Sequence, residues 1–445
     1  MSTISPARPH AENPSAKTLA SLVADCVVGI ICVPALTAFA FGIALLLLTG
    51  NSPGHHDVVS YWTAGHQLLH HANPYDSEAV LRSELAAGVP TGAQALLVRN
   101  PPWALCLVLP LGVLGVPLGS LVWTLLLLGC FTASVQLIGT ISREMAGQPQ
   151  NKVHLLGYTF APALLCVLTG QTSLFSLLGL VLFLKLYRAR PFLAGSALYL
   201  CALKPHLFLP CAIVLLLWIV ATHSYRLVLG FITTLSAASL AVTWFDPMVW
   251  THYHQMMQTS GITAEFIACP AVALRFAIAP HAIWMQYLPA ALGCAWAVLY
   301  YRKHRAEWDW MEHGALLLVV SILVSPYAWL TDQTILLPAL LPVVISRNIA
   351  SASAWPLRTL MLASAVIEMQ QLYGVTMHSA WVLWTTPFWL AWFLVASARS
   401  AGSEPSFIEL PPSFKAAAAT QRIERPASPT RPLHTLESGS QTTAP

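Results

Sequence analysis

One stretch, "NSPGHHDVVSYWTAGHQLLHHANPYDSEAV" at residues 51–80, gathers Asp57, Asp76 and Glu78 with a run of histidines, and Glu84 follows close behind. Asp57 comes directly after a long apolar run, where a carboxylate can accept the proton of an attacking hydroxyl. A cation that could complement it stands far away in "LCALKPHLF", where Lys204 precedes Pro205 and His206. Proline restricts the backbone of the residue before it, so Lys204 is expected at a broken helix end. There it either grips an anionic oxygen or snorkels to the membrane surface. Asp332 in "LLVSPYAWLTDQTILL" and Glu368 in "AVIEMQQLYG" are two more acids inside apolar sequence, each a candidate for chemistry or for a paired structural role. Gln171 of "LTGQTSLF" and Asn100 of "RNPPW" can bind hydroxyls or cap helix ends.

His55 and His56 either tune Asp57 or form a polar lead-in to it. The histidines at 55, 56, 66, 70 and 71 match no zinc spacing, so a metal is not expected. The nine cysteines are scattered without a C-x-x-C pair and read as reduced core residues. No phosphate-binding glycine loop, nucleophile elbow, H-E-x-x-H pair or D-x-D motif is present, which removes the usual signatures of nucleotide and metal hydrolysis.

The elements that must position these groups follow from composition. Hydrophobic residues make up 56% of the chain and charged ones 9%, with a mean hydropathy of +0.64. Soluble proteins carry about 25% charged residues, so the chain reads as an all-α, polytopic membrane protein. Period-two alternation is missing, which disfavours a barrel. About twelve spans are expected, near 26–49, 118–140, 153–169, 173–188, 192–204, 207–222, 226–245, 282–300, 312–326, 332–346, 357–373 and 380–398. Several are short, which predicts tilted or broken helices.

Alternate turns then collect Arg143, Lys152, Lys185, Arg188, Arg190, Arg226, Arg302, Lys303, Arg305, Arg347 and Arg358. The opposite turns hold Arg82, Arg99, Lys204 and Arg275. The positive-inside rule assigns the first set to the cytoplasm. This predicts a cytoplasmic segment at 1–25, a membrane domain at 26–400 with an outer loop at 50–100, and a disordered cytoplasmic tail at 401–445. "PPWALCLVLPLGVLGV" would break the parity as a span and is expected to be re-entrant or interfacial, with "FIACPAVALRFAIAP" similarly broken. The net charge of +4 comes largely from loops, so it speaks to topology and not to nucleic acid.

The candidate acids and Lys204 are thus predicted on one, outer side. Lipid-linked phosphates supply activated groups there. A prenyl-phosphate sugar carries a single negative charge, which one cation can stabilise as it leaves.

The segment "HHDVVSYWTAGHQLLHHANPY", with Asp57, Tyr61, Gly65 and Tyr75 of its Asn-Pro-Tyr, resembles the opening motif of glycosyltransferase family 87. The resemblance continues in order through "RNPPWALCLVLPLGVL", "LTGQTSLFSLLGL", "LAGSALYLCALKPHLFL" and "SPYAWLTDQ". It implies a GT-C-like helical membrane fold and inverting transfer from polyprenyl-phosphate mannose, with Asp57 in the place of the catalytic aspartate. Members resembling the phosphatidylinositol-mannoside enzymes carry histidines after S-P-x-x-W, where this chain has Leu330, Thr331 and Asp332. That departure weakens the assignment of mannose.

The expectation is a bacterial-type inner-membrane hexosyltransferase with an extracytoplasmic site, acting on a polyprenyl-phosphate sugar donor and a glycolipid or glycan acceptor. Asp57 and Asp332 are the catalytic candidates. Lys204, His206, Gln171, Asn100, His56, Tyr61, Tyr75 and Glu368 are the substrate-binding ones, with no cofactor. A transporter or flippase of lipid-linked sugars is the alternative, weakened by the lack of an internal repeat.

Overall fold

A computed structural model describes residues 37, 40–44, 56–88, 95–146, 152–261, 264–346 and 355–401. All regular secondary structure among them is helical. The predicted segment 1–25, most of the predicted first span and the tail beyond Ala401 lie outside the described residues. The described residues up to Ser400 form one compact unit.

The predicted outer loop is not an open loop. It folds into α1 (His56–Leu69) and α2 (Ser77–Ala86). Asp76 caps α2 by accepting the backbone N–H of Glu78 at 2.9 Å. The segment 101–116 is not a continuous α-helix but two short 3-10 turns, Pro102–Leu107 and Leu109–Val113. The second turn lies tight against α1 at Gly65 and Gly112: a Cβ on Gly65 would sit 2.2 Å from the Val108 carbonyl oxygen, and one on Gly112 2.4 Å from the Gly65 carbonyl carbon. Only glycine permits that approach.

Next come α3 (Val116–Ala146), α4 (Ala161–Thr169), α5 (Ser173–Leu186), α6 (Pro191–Leu198), α7 (Leu209–Thr222) and α8 (Tyr225–Phe245). Prolines stand in the first turns of α4, α6 and α7, where the missing N–H is not needed. The chain continues through α9 (Val249–Thr259), α10 (Pro270–Ile278), α11 (Trp284–His304), α12 (His313–Leu323), α13 (Leu337–Ile345), α14 (Trp355–Leu372) and α15 (Thr385–Ala401).

Among the described residues, four helical stretches are long and apolar enough to cross a membrane: Val116–Met145, Pro205–Thr222, Tyr225–Phe245 and Ala380–Ala398. Shorter apolar ones run Ser173–Leu186, Pro191–Leu203, His313–Leu323 and Leu330–Ile345. Several predicted spans are interrupted. The stretch 153–169 breaks at Phe160 between a 3-10 turn and α4, and 192–204 passes from α6 into the 3-10 turn Cys201–Leu203. Leu125, Leu216, Leu229, Leu240 and Leu394 project outward from these helices, and Leu299 from α11, as an exposed apolar surface suited to lipid.

Candidate active site

Four chain breaks meet at one place: the N-terminus of α1, the turn between α4 and α5, the kink before Pro205, and the turn entering Leu330–Leu336. Each delivers polar side chains: Asp57 from the first, Gln171 and Ser173 from the second, Lys204 from the third and Asp332 from the fourth.

The first break delivers Asp57, half-buried in the first turn of α1. The second is built on Gly170, whose φ of 78° ends α4 in a left-handed cap. The Gln171 N–H reaches the Cys166 carbonyl at 3.0 Å and the Gly170 N–H the Val167 carbonyl at 3.3 Å. That is the paired hydrogen bonding of a Schellman motif. Trp123 Nε1 donates to the Gly170 carbonyl at 2.7 Å. The turn thereby presents Gln171 and Ser173 to Asp57 and Lys204.

The third break is at Lys204, with φ −137° and ψ 68° between two 3-10 turns. Its ammonium group donates to Asp332 Oδ1 at 2.6 Å, Gln171 Oε1 at 3.0 Å and Ser173 Oγ at 3.1 Å. These are three acceptors for three N–H donors. At the fourth break Asp332 is fully buried. Its Oδ1 also accepts from Ser173 Oγ at 2.5 Å, and its Oδ2 accepts the Trp329 N–H at 2.8 Å. Lys204 and Asp332 thus form a buried ion pair with both carboxylate oxygens engaged.

Asp57 stands next to this pair. Burial pushes its carboxyl up from 3.8 to about 6, while the Gln171 side chain and the positive charges of Lys204 and Arg99 pull it down. A carboxyl poised near 6 is ionised at neutral pH yet remains a usable proton acceptor. Two other loop acids are committed elsewhere: Asp76 caps α2, and buried Glu84 accepts the Leu96 N–H at 3.1 Å.

The remaining sequence candidates fall into three groups. Asn100 Nδ2 donates to the Leu203 carbonyl at 3.3 Å, and Tyr75 Oη donates to the Asn100 carbonyl at 3.0 Å. Together they brace the chain beside Lys204. Tyr61 is buried on α1 with its ring 5.4 Å from that of Trp123. Burial holds its phenol protonated, well above the usual range. His206 stacks on Tyr327 with ring centroids 3.7 Å apart, and its Nε2 has no hydrogen-bond partner among the described residues. Glu368 is buried on α14 and shares no hydrogen bond or ion pair with the Lys204 group among the described residues. The His56 backbone opens α1, while its side chain, like all of His55, lies outside the described residues.

Two participants were missed. Ser173 was legible as a polar residue two positions after Gln171. Arg99 was read only as a topological charge, yet its field reaches Asp57. Its guanidinium pairs with Glu265 at 2.5 Å, and His378 lies 3.8 Å from the same carboxylate.

A family model for glycosyltransferase family 87 matches residues 99–334, which takes in Gln171, Lys204 and Asp332. The chain belongs to glycosyltransferase family 87. It is a membrane glycosyltransferase, and Asp57, outside the matched range, joins the matched residues through space. No curated protein and no solved structure matches the chain.

Proposed function

We propose that this family 87 protein transfers a hexose, with mannose the first candidate, from a polyprenyl-phosphate donor to a hydroxyl of a glycolipid or glycan, with inversion at the anomeric carbon. Asp57 takes the proton of the acceptor hydroxyl. The oxygen forms its bond to the anomeric carbon as the bond to phosphate breaks, and that electron pair leaves on the phosphate. Lys204 stabilises the charge gained there, with Asp332 and Ser173 holding the ammonium group in place.

The observation that carries the reading is the meeting of Asp57, Gln171 and Lys204 at a broken helix end beside an apolar cavity. That cavity has a volume of about 310 Å³. It is lined by Cys201, Ala202 and Pro205, close to Lys204 in the chain, and by Leu180, Phe208 and Leu318 among others. A prenyl chain lying there would bring its phosphate to the lysine. Orientation is supported by α5, which starts at Ser173 and ends about 20 Å away beside Lys185 and Arg188. Cations at that far end favour a cytoplasmic location for it and an extracytoplasmic one for the site.

Purified protein in vesicles, given radiolabelled polyprenyl-phosphate mannose and then other hexose donors with a membrane lipid extract, should consume a donor and label a new glycoside. Asp57→Asn should remain folded and lose at least a hundredfold in rate, the lower range of a general base's contribution. Full activity in that variant, or donor carried across the bilayer unchanged, overturns the proposal.

A further inference from the structure

A second cleft lies on a different face of α1 from Asp57. The helix buries Tyr61, Ala64 and Leu68 toward the protein interior, while Trp62, His66 and His70 form a column along its side. Their rings stack at 5.0 Å between Trp62 and His66 and at 4.2 Å between His66 and His70. The cleft beside this column has a volume of about 500 Å³ and is lined by Trp62, His66, Gln67, Arg82, Ser83 and Pro117 among others. No carboxylate is among its lining residues.

Arg82 is exposed and has no ion-pair or hydrogen-bond partner among the described residues. Glu78, one turn earlier on α2, is not paired with it. Val116 and Pro117, which line the cleft, are the first residues of a helix long and apolar enough to cross a membrane. Leu85 and Leu118, chain neighbours of the lining residues, are exposed apolar side chains, and Val113 projects from the adjoining turn.

We propose that this cleft binds the phosphate of an anionic bilayer phospholipid. Arg82 supplies a planar donor fork suited to phosphate, and His66 and Gln67 add N–H donors. The acyl chains run over Leu85, Val113 and Leu118. Lipid headgroups lie at the depth where a span begins, which is where this cationic cleft opens. The site is separate from the reaction centre and does not depend on which donor the protein uses.

The test is lipid binding by the intact protein in detergent, read by native mass spectrometry with phosphatidylglycerol and no sugar donor present. Arg82→Gln should weaken phosphatidylglycerol binding about fivefold, the equivalent of one cation's attraction to an anionic lipid. Arg82→Lys, which keeps the charge and loses the fork, should weaken binding less than Arg82→Gln does. Arg226→Gln, a distant basic control, and Asp57→Asn should bind as the unaltered protein does. Millimolar inorganic phosphate should compete weakly, because it lacks the acyl chains. Equal affinity in Arg82→Gln and the unaltered protein, loss of binding in Asp57→Asn, or complete displacement by inorganic phosphate overturns the proposal.

Discussion

The raised pKa of Asp57 makes the pH dependence of transfer the sharpest test of its role as base. An aspartate in water is fully ionised by pH 5, whereas burial brings the Asp57 carboxyl up to about 6. Only the ionised form accepts a proton, so activity should rise with pH. About one tenth of the plateau value of kcat/KM is expected at pH 5 and about nine tenths at pH 7. Because Gln171 lowers this pKa, Gln171→Leu should move the midpoint upward. A bound donor phosphate adds negative charge beside the carboxylate, so the midpoint in kcat should lie above that in kcat/KM. The same shift gives a sign for stability. The folded state holds the proton more tightly than the unfolded chain, so the contribution of Asp57 is fully present below about pH 4 and is lost as pH rises through about 6. The assay is transfer from labelled donor in vesicles between pH 5 and 8, with initial rates at limiting and saturating donor. A flat profile from pH 5 to 7, or a midpoint near 4, refutes the assignment.

Two further outcomes follow from the geometry around the lysine. Asp332→Asn leaves the Lys204 charge buried without its counter-ion and should destabilise the protein by about 3 to 5 kcal/mol, whereas Lys204→Met with Asp332→Leu should recover most of that loss and still lack transfer; thermal unfolding in detergent alongside the transfer assay checks both. Gly170→Ala must hold alanine at φ 78° and places a Cβ 2.2 Å from Val58 Cγ2, so it should displace Gln171 and reduce transfer at least tenfold. Gly88→Ala has φ 70° but open space around it, and should cost about 1 kcal/mol in stability with transfer unchanged.

The sequence makes some of this legible and hides the rest for identifiable reasons. An acid after an apolar run and a lysine before proline are local signals, and both lead to the site. Helical character is equally local, since long apolar runs have few alternatives in a bilayer. The pairing of Lys204 with Asp332 spans 128 positions, and no periodicity reports a contact at that range. The same limit affects the loop acids. Asp57, Asp76 and Glu84 look alike in sequence, yet Asp76 caps a helix, Glu84 holds a backbone N–H, and Asp57 faces the lysine group. Asp76 could have been read as a cap from its place before Ser77 and Glu78. Glu84 could not, because its partner Leu96 is reached only after the chain folds back.

The position of the proposed chemistry at helix breaks has a physical logic. A continuous helix satisfies its own backbone and presents side chains only around a cylinder, whereas a broken one aims a side chain along the axis and frees carbonyls that apolar surroundings cannot solvate. Here the freed carbonyls are answered one by one. Trp103 Nε1 donates to Ala202 at 2.8 Å, Asn100 Nδ2 to Leu203, and Trp123 Nε1 to Gly170. The "RNPPW" segment therefore serves the site from behind: Asn100 and Trp103 repair the break that lets Lys204 leave the helix axis. The same reasoning accounts for Asp332, whose Oδ2 takes the Trp329 N–H at the fourth break while Oδ1 holds the lysine. One carboxylate thus closes a backbone defect and fixes the cation, which leaves Asp57, in the first turn of α1, as the acid of the group for the proposed role of base.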